Sequence, residues 1–250
     1  MPENKQPERA ADEPPKSKQP RATGAGRKAV VLLSGGLDSA TTLYAASAGG
    51  YSPHALTIRY GQRHGKETEC ARWLAAHFKI ELRELSIDLP WKGSALLDRG
   101  VSLPQKRSEK EMNSGIPATY VPARNTIFLS FALSWAEVLG AAAVFIGANA
   151  LDYSGYPDCR PEYFQTVEEL FKKGTKAGAE GRAIRVEVPL LHKTKGEIVQ
   201  WGHALGVPFE HTWSCYEGGA APCGVCDSCV LREKGFREAG LTDPIMSVSR

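Results

Sequence analysis

No apolar run in the chain reaches the roughly 18 to 20 residues needed to cross a bilayer, and the N-terminus lacks the apolar core of a signal peptide. A cytoplasmic protein with no membrane partner is therefore expected. Residues 1–28 have no apolar side chain larger than alanine after Met1, and they carry five of the sixteen prolines. Such a segment cannot build a core, so it reads as a disordered extension. The remainder has no basic excess. The net charge of +3 sits in the extension, where seven Lys/Arg face four Asp/Glu, leaving the other residues neutral. Nothing in that balance argues for a nucleic-acid partner. No internal repeat is visible, which excludes solenoids and propellers. What is present is a chain of 250 residues, 42% hydrophobic and 24% charged, sufficient for one large core or two small ones.

The apolar pattern alternates strand and helix. Residues 29–33 (AVVLL) form a short run bounded by Ser34-Gly35-Gly36, as expected of a strand buried on both faces. Further strands are expected at 55–58, 80–87, 143–147 and 184–188, and helices at 38–47, 66–78, 125–139, 160–173 and 195–205. This predicts an α/β fold, a doubly wound, mostly parallel five-stranded Rossmann-like sheet over residues 29–210, with its ligand crevice at the carboxyl ends of the strands. Residues 88–122 have little periodicity, and a loop that long is a candidate lid. Residues 211–250 break the pattern with cysteines and a short helix near 228–239.

Ser34-Gly35-Gly36-Leu37-Asp38-Ser39 follows a buried strand and opens a helix. Two glycines permit a tight turn with uncovered N–H groups, and the helix N-terminus adds partial positive charge, a combination that suits a phosphate. A Walker A loop would require a lysine where Asp38 stands, so a γ-phosphoryl kinase is disfavoured.

Six cysteines occur, and Cys215, Cys223, Cys226 and Cys229 are spaced C-x7-C-x2-C-x2-C. Two-residue spacers let thiolates converge on one tetrahedral ion, and four sulfur ligands leave no position open for water. A structural Zn²⁺ is expected, with a disulfide pair or an iron–sulfur cluster as alternatives. Cys70 reads as core. Cys159, beside Arg160, reads as a packing or substrate-contact residue in preference to a nucleophile.

The loop resembles that of the N-type ATP pyrophosphatases, which have an adenine nucleotide alpha-hydrolase-like fold and split ATP between its α- and β-phosphates. RYGQRHGKE at 59–67, YVPARNTIFLSFA at 120–132, IGANALDYSGYPDCRPEY at 146–163, PLLHKTKGEIV at 189–199, TWSCY at 212–216 and CGVCDSCVLREKGFREAG at 223–240 narrow the resemblance. Within that group the chain is similar to the 7-cyano-7-deazaguanine synthases of queuosine biosynthesis, over essentially residues 29–244. It departs at Arg59, where members often have an acidic or neutral residue.

The resemblance implies a carbon–nitrogen ligase that uses ATP and ammonia on 7-carboxy-7-deazaguanine, with Mg²⁺, as a homodimer. It implies nucleotide contacts at Leu33, Ser34, Gly35, Gly36, Leu37, Asp38, Ser39, Ala40, Thr41, Arg59, Tyr60, Gly61, Arg124, Asn125 and Gly147. Asp38, Lys193, Lys195, Arg160 and Asp152 are the expected catalytic residues. Asp152, Tyr153, Tyr156, Asp158 and Arg160 are the expected deazaguanine pocket, where rings stack on the heterocycle and charged groups take its amine and carboxylate. Competing readings are another adenylating enzyme, acting in tRNA thiolation or on a protein terminus, and a non-catalytic nucleotide-binding module.

Overall fold

Alternate residues of the first apolar run face opposite ways, and two cores follow from that. In the computed structural model, which describes residues 26–112, 114–151 and 155–246, β1 (Arg27–Leu32) sends Ala29 and Val31 into one core and Val30 and Leu32 into the other. Such a strand is apolar on both faces because helices cover both. Five parallel strands make one sheet in the order β3-β2-β1-β4-β5. The others are β2 (Tyr51–Arg59), β3 (Leu82–Ser86), β4 (Ala143–Phe145) and β5 (Arg185–Glu187). The order reverses at β1, between β2 and β4, and there the crossovers part to leave a crevice.

On one face lie α1 (Leu37–Ala48), α2 (Lys66–Phe78), α7 (Lys195–Leu205) and α8 (Asp227–Glu238), contributing Leu43, Phe78, Ile198 and Phe236 to the core. On the other lie α4 (Arg124–Leu139) and α5 (Pro161–Gly174), contributing Leu129 and Phe171. Each such side chain, fully buried, stabilises the fold by about 1.5–3 kcal/mol before chain entropy is counted.

Several boundaries differ from the sequence expectation. Arg27 and Lys28, assigned to the extension, open β1, while residues 1–25 lie outside the described residues. β2 begins four residues earlier than expected and passes through Pro53. Pro53 pairs with Ala29 on one side, and β3 starts only opposite Ala55, so the missing N–H is not needed there. A short α6 (Lys176–Ala179), capped by Thr175, follows α5 without a loop.

The long segment 88–122 contains α3 (Glu109–Met112) and is held to the body at three places. Leu89, Ala95, Leu96, Leu103 and Val121 form a satellite core with Tyr60. Arg63 donates to the carbonyl oxygens of Ala95, Asp98 and Val101. Farther along, Gln105 forms a β-bridge with Cys226, the Lys106 N–H donates to the Val225 carbonyl at 2.9 Å, and Arg107 pairs with the buried Asp227. The lid candidate is thus tied to the cysteine segment.

Candidate active site

The loop after β1 is fixed from both sides. Gly35 has φ +93°, and a Cβ there would stand 2.0 Å from the Glu67 carbonyl oxygen and 2.7 Å from the Ala71 nitrogen, so only glycine lets α2 pack this closely. The Gly35 carbonyl accepts from the Trp213 N–H at 3.0 Å. Ser39 Oγ accepts from the Gly35 N–H at 3.1 Å and lies 3.0 Å from Ser34 Oγ, while the Gly36 N–H donates to Ser34 Oγ at 3.2 Å. No side chain caps the first turn of α1. Its leading N–H groups and dipole face the crevice, an arrangement that favours an anion.

Asp38, in that first turn, accepts two hydrogen bonds of 2.9 Å from Lys195 Nζ. Lys195 is held almost out of solvent at the start of α7, where Thr194 and Glu197 form a reciprocal capping box. Gly147, just past β4, allows α1 to approach: a Cβ there would fall 2.9 Å from Thr42 Oγ1 and 3.1 Å from the Asp38 carbonyl.

A cavity of about 260 Å³ opens between this loop, the ends of β2 and β4, α4 and the C-terminal segment. On its far wall Arg124 donates to the Tyr60 hydroxyl at 3.2 Å, and the Tyr60 ring meets Phe128 edge-on at 5.2 Å. Tyr156 is buried with its hydroxyl 2.7 Å from Thr119 Oγ1, and burial pushes its phenol up. Cys159 also reaches this wall. Burial, reinforced by the charge of Asp158, pushes its thiol up to about 11, so it is not a thiolate at neutral pH.

Glu67 completes the wall from the first turn of α2. The residue is partly exposed, but its carboxyl is enclosed, and this burial pushes it up to about 7 against the opposing pull of Arg124.

Of the residues expected in the site, Leu33, Ser34, Gly36, Leu37, Asp38 and Ser39 line the cavity, as do Tyr60, Arg124, Asn125, Gly147, Tyr156 and Lys195. Ala40 and Thr41 do not, because they face the core, Thr41 bonding back to the Leu37 carbonyl. Arg59 and Arg160 are solvent-exposed and Gly61 lies outside the wall. Lys193 lies 4.9 Å over the Trp201 ring and not at the cavity. The Asp158 carboxylate accepts the Asn125 N–H at 3.0 Å, capping α4 instead of facing a ligand. Asp152 and Tyr153 lie outside the described residues. Glu67, His64, Gln62 and Trp213 line the cavity without having been expected there. The only signal for them was their position inside the quoted segments 59–67 and 212–216.

The sulfur atoms of Cys215, Cys223, Cys226 and Cys229 lie within 4.8 Å of one another, with none joined by a disulfide. A tetrahedral ion with Zn–S bonds near 2.3 Å needs sulfurs about 3.8 Å apart, so the four could hold a metal ion. Backbone N–H groups of Cys223 and Cys226 point at the sulfurs of Cys215 and Cys223, at 3.3 and 3.4 Å.

A glycine-turned anion loop at the switch point of a parallel sheet, with a lysine–aspartate pair beside it, defines a nucleotide-dependent α/β enzyme. Residues 28–240 match the family described as queuosine biosynthesis protein QueC, and the chain belongs to that family. It is 56% identical over 221 residues to the 7-cyano-7-deazaguanine synthase of Trichodesmium erythraeum (strain IMS101), covering 88% of this chain and 100% of the relative. The enzyme of the same name from Thermoplasma acidophilum is 50% identical over 219 residues, covering 88% and 91%. Among solved structures, the NMN synthetase from Francisella tularensis aligns with a TM-score of 0.46 at 18% identity, covering 90% of this chain and 82% of that one.

Proposed function

We propose that this protein converts 7-carboxy-7-deazaguanine and ammonia to 7-cyano-7-deazaguanine, at the expense of two ATP molecules cleaved to AMP and pyrophosphate. A carboxylate is a poor electrophile, so activation comes first. The carboxylate oxygen attacks the α-phosphorus of ATP and pyrophosphate leaves. Ammonia displaces AMP to give the amide, the amide oxygen is adenylated in turn, and loss of the second AMP leaves the nitrile.

The observation that carries this reading is the Lys195–Asp38 pair beside the uncapped start of α1, with bonds of 2.9 Å. In it, the uncapped leading N–H groups of α1 hold the phosphates, and Lys195 turns from Asp38 towards the departing pyrophosphate as its charge develops. Asp38 and the bound phosphates would then share Mg²⁺, whose charge assists pyrophosphate departure. Across the cavity the Arg124 guanidinium suits the carboxylate of the substrate, and the rings of Tyr60 and Tyr156 suit its flat heterocycle. The four cysteines would hold one structural Zn²⁺. The outlying Lys193, Arg160 and Asp158 have no part in this reading.

The same reading takes the protein as a cytoplasmic homodimer. Among the described residues no helix is long and apolar enough to cross a membrane, and the exposed Phe131 and Val138 on α4 offer an apolar surface for a second copy.

The test is direct. Protein, Mg-ATP, ammonium and 7-carboxy-7-deazaguanine should yield the nitrile by mass and two AMP per nitrile. Release of ADP and orthophosphate in place of AMP would overturn the reading. Asp38→Asn should lower turnover by about 10²–10⁴-fold, a loss typical of removing a preorganised charge, while keeping its metal content.

A further inference from the structure

We infer that Glu67 accepts the proton released from nitrogen in both halves of the reaction, first as ammonia adds to the acyl adenylate and again as the adenylated amide becomes the nitrile. This rests on the function proposed above and deepens it. Both nitrogen steps need a base. As the C–N bond forms, the nitrogen becomes positively charged, and it must lose a proton to Glu67 before the C–O bond breaks and AMP leaves with the electron pair. In the second half, adenylation of the amide oxygen leaves a cationic imidate with two protons on nitrogen: one is lost to give the neutral imidate, and the other goes to Glu67 as the nitrogen's electron pair becomes the third C–N bond and AMP departs again. The first half thus delivers one proton and the second two, and the carboxyl returns each proton it takes to solvent before the next.

The other ionisable groups of the cavity are poorly suited. Asp38 is paired with Lys195 and, in the function proposed above, would face Mg²⁺ once Lys195 turns to the pyrophosphate, and Asp158 is spent on capping α4. Arg124 stays charged throughout, and Tyr156 and Cys159 are both shifted upward by burial. Burial holds the His64 ring below its ordinary value, and its Nδ1 is closed off from the cavity space, with no hydrogen-bond partner among the described residues.

Glu67, by contrast, lines the cavity, and among the described residues its carboxylate has no hydrogen-bond or ion-pair partner. Besides burial, the groups acting on it are Arg124 from α4, which pulls its carboxyl down, and Cys215 from the C-terminal segment, which pushes it up. Its backbone is set by the contact that makes Gly35 obligatory, with the Glu67 carbonyl against the phosphate loop, and its side chain lines the same cavity as that loop. An acid enclosed enough to titrate near 7 is matched to proton transfer at neutral pH.

The experiment separates activation from nitrogen transfer. Pyrophosphate exchange into ATP, dependent on 7-carboxy-7-deazaguanine, reads activation, and amide plus nitrile formation reads transfer. In Glu67→Gln, transfer should fall by about 10²–10⁴-fold, the usual loss with a general base, while exchange falls by far less. Hydroxylamine, which needs less help to shed its proton than ammonia, should recover much of the lost rate. With rates plotted against free NH₃, so that the titration of ammonium itself drops out, the acid limb of the native protein's pH profile should vanish in Glu67→Gln and shift in Glu67→Asp. If Glu67→Gln does not fold, that shift in Glu67→Asp decides the matter, and an unchanged limb overturns the proposal.

Equal losses of exchange and transfer in Glu67→Gln would make Glu67 an ATP-positioning residue. A loss confined to the KM for 7-carboxy-7-deazaguanine would make it a recognition group, and either result overturns the proposal. A native protein that shows neither exchange nor AMP release would overturn the functional reading itself, and Glu67's role with it.

Discussion

Burial decides what Cys159 and Glu67 can do, and neither outcome is visible from their neighbours in sequence. Arg160 follows Cys159 directly and suggests a stabilised thiolate, yet it points to solvent while the sulfur sits in a closed wall beside Asp158. Because burial pushes its thiol up to about 11, Cys159 should resist alkylation by iodoacetamide at pH 7.5, measured by mass spectrometry of the folded protein. Cys159→Ala should then keep most of its turnover. Burial raises the Glu67 carboxyl too, and its titration falls in a range where stability can be followed. Its folded value, about 7, lies above its unfolded value of 4.5, so the folded state binds this proton more tightly. The stability it contributes is fully present below about 4.5 and is lost as pH rises through about 7. A thermal melt series between pH 4.5 and 8 should show this slope in the native protein and a flatter one in Glu67→Gln.

Elements with local signals were legible, and elements shaped by distant partners were not. α2 and α7 occupy the spans that the sequence predicts, and in α7 the local chemistry is plain: the Thr194/Glu197 capping box opens the helix and Gly206 closes it in a left-handed turn. The phosphate loop was legible for the same reason, since its glycines and serines are consecutive. The clamp on segment 88–122 was not, because its partners lie on α8 and in the cysteine segment. Arg232 on α8 belongs to the same class. Buried, it pairs with Asp243 through bonds of 2.7 and 3.0 Å and also donates to Thr212 Oγ1 and the Phe209 carbonyl. Arg232→Met should strand Asp243 without a partner and destabilise the protein by about 3–5 kcal/mol, read from urea unfolding. The double variant with Asp243→Asn should regain part of that loss.

For the molecule as a whole, the four cysteines act well beyond their own segment. Cys226 bridges Gln105, Trp213 between the sheet and Cys215 holds the Gly35 carbonyl, and the Trp213 indole donates to the Cys215 carbonyl at 2.9 Å. Metal loss should therefore loosen the phosphate loop and segment 88–122 together. Cys226→Ser, or treatment with a strong chelator, should remove the ion, lower the melting temperature and raise the KM for ATP and substrate in parallel. Metal analysis, a thermal melt and initial rates check these in one preparation. A full equivalent of metal in Cys226→Ser would remove that sulfur from the ligand set.

Arg107 meets Asp227 across 120 positions of chain. On the ribosome, the sheet and its glycine turn emerge before the carboxylate that anchors this arginine, so the growing polypeptide cannot fasten segment 88–122 until Asp227 has been made.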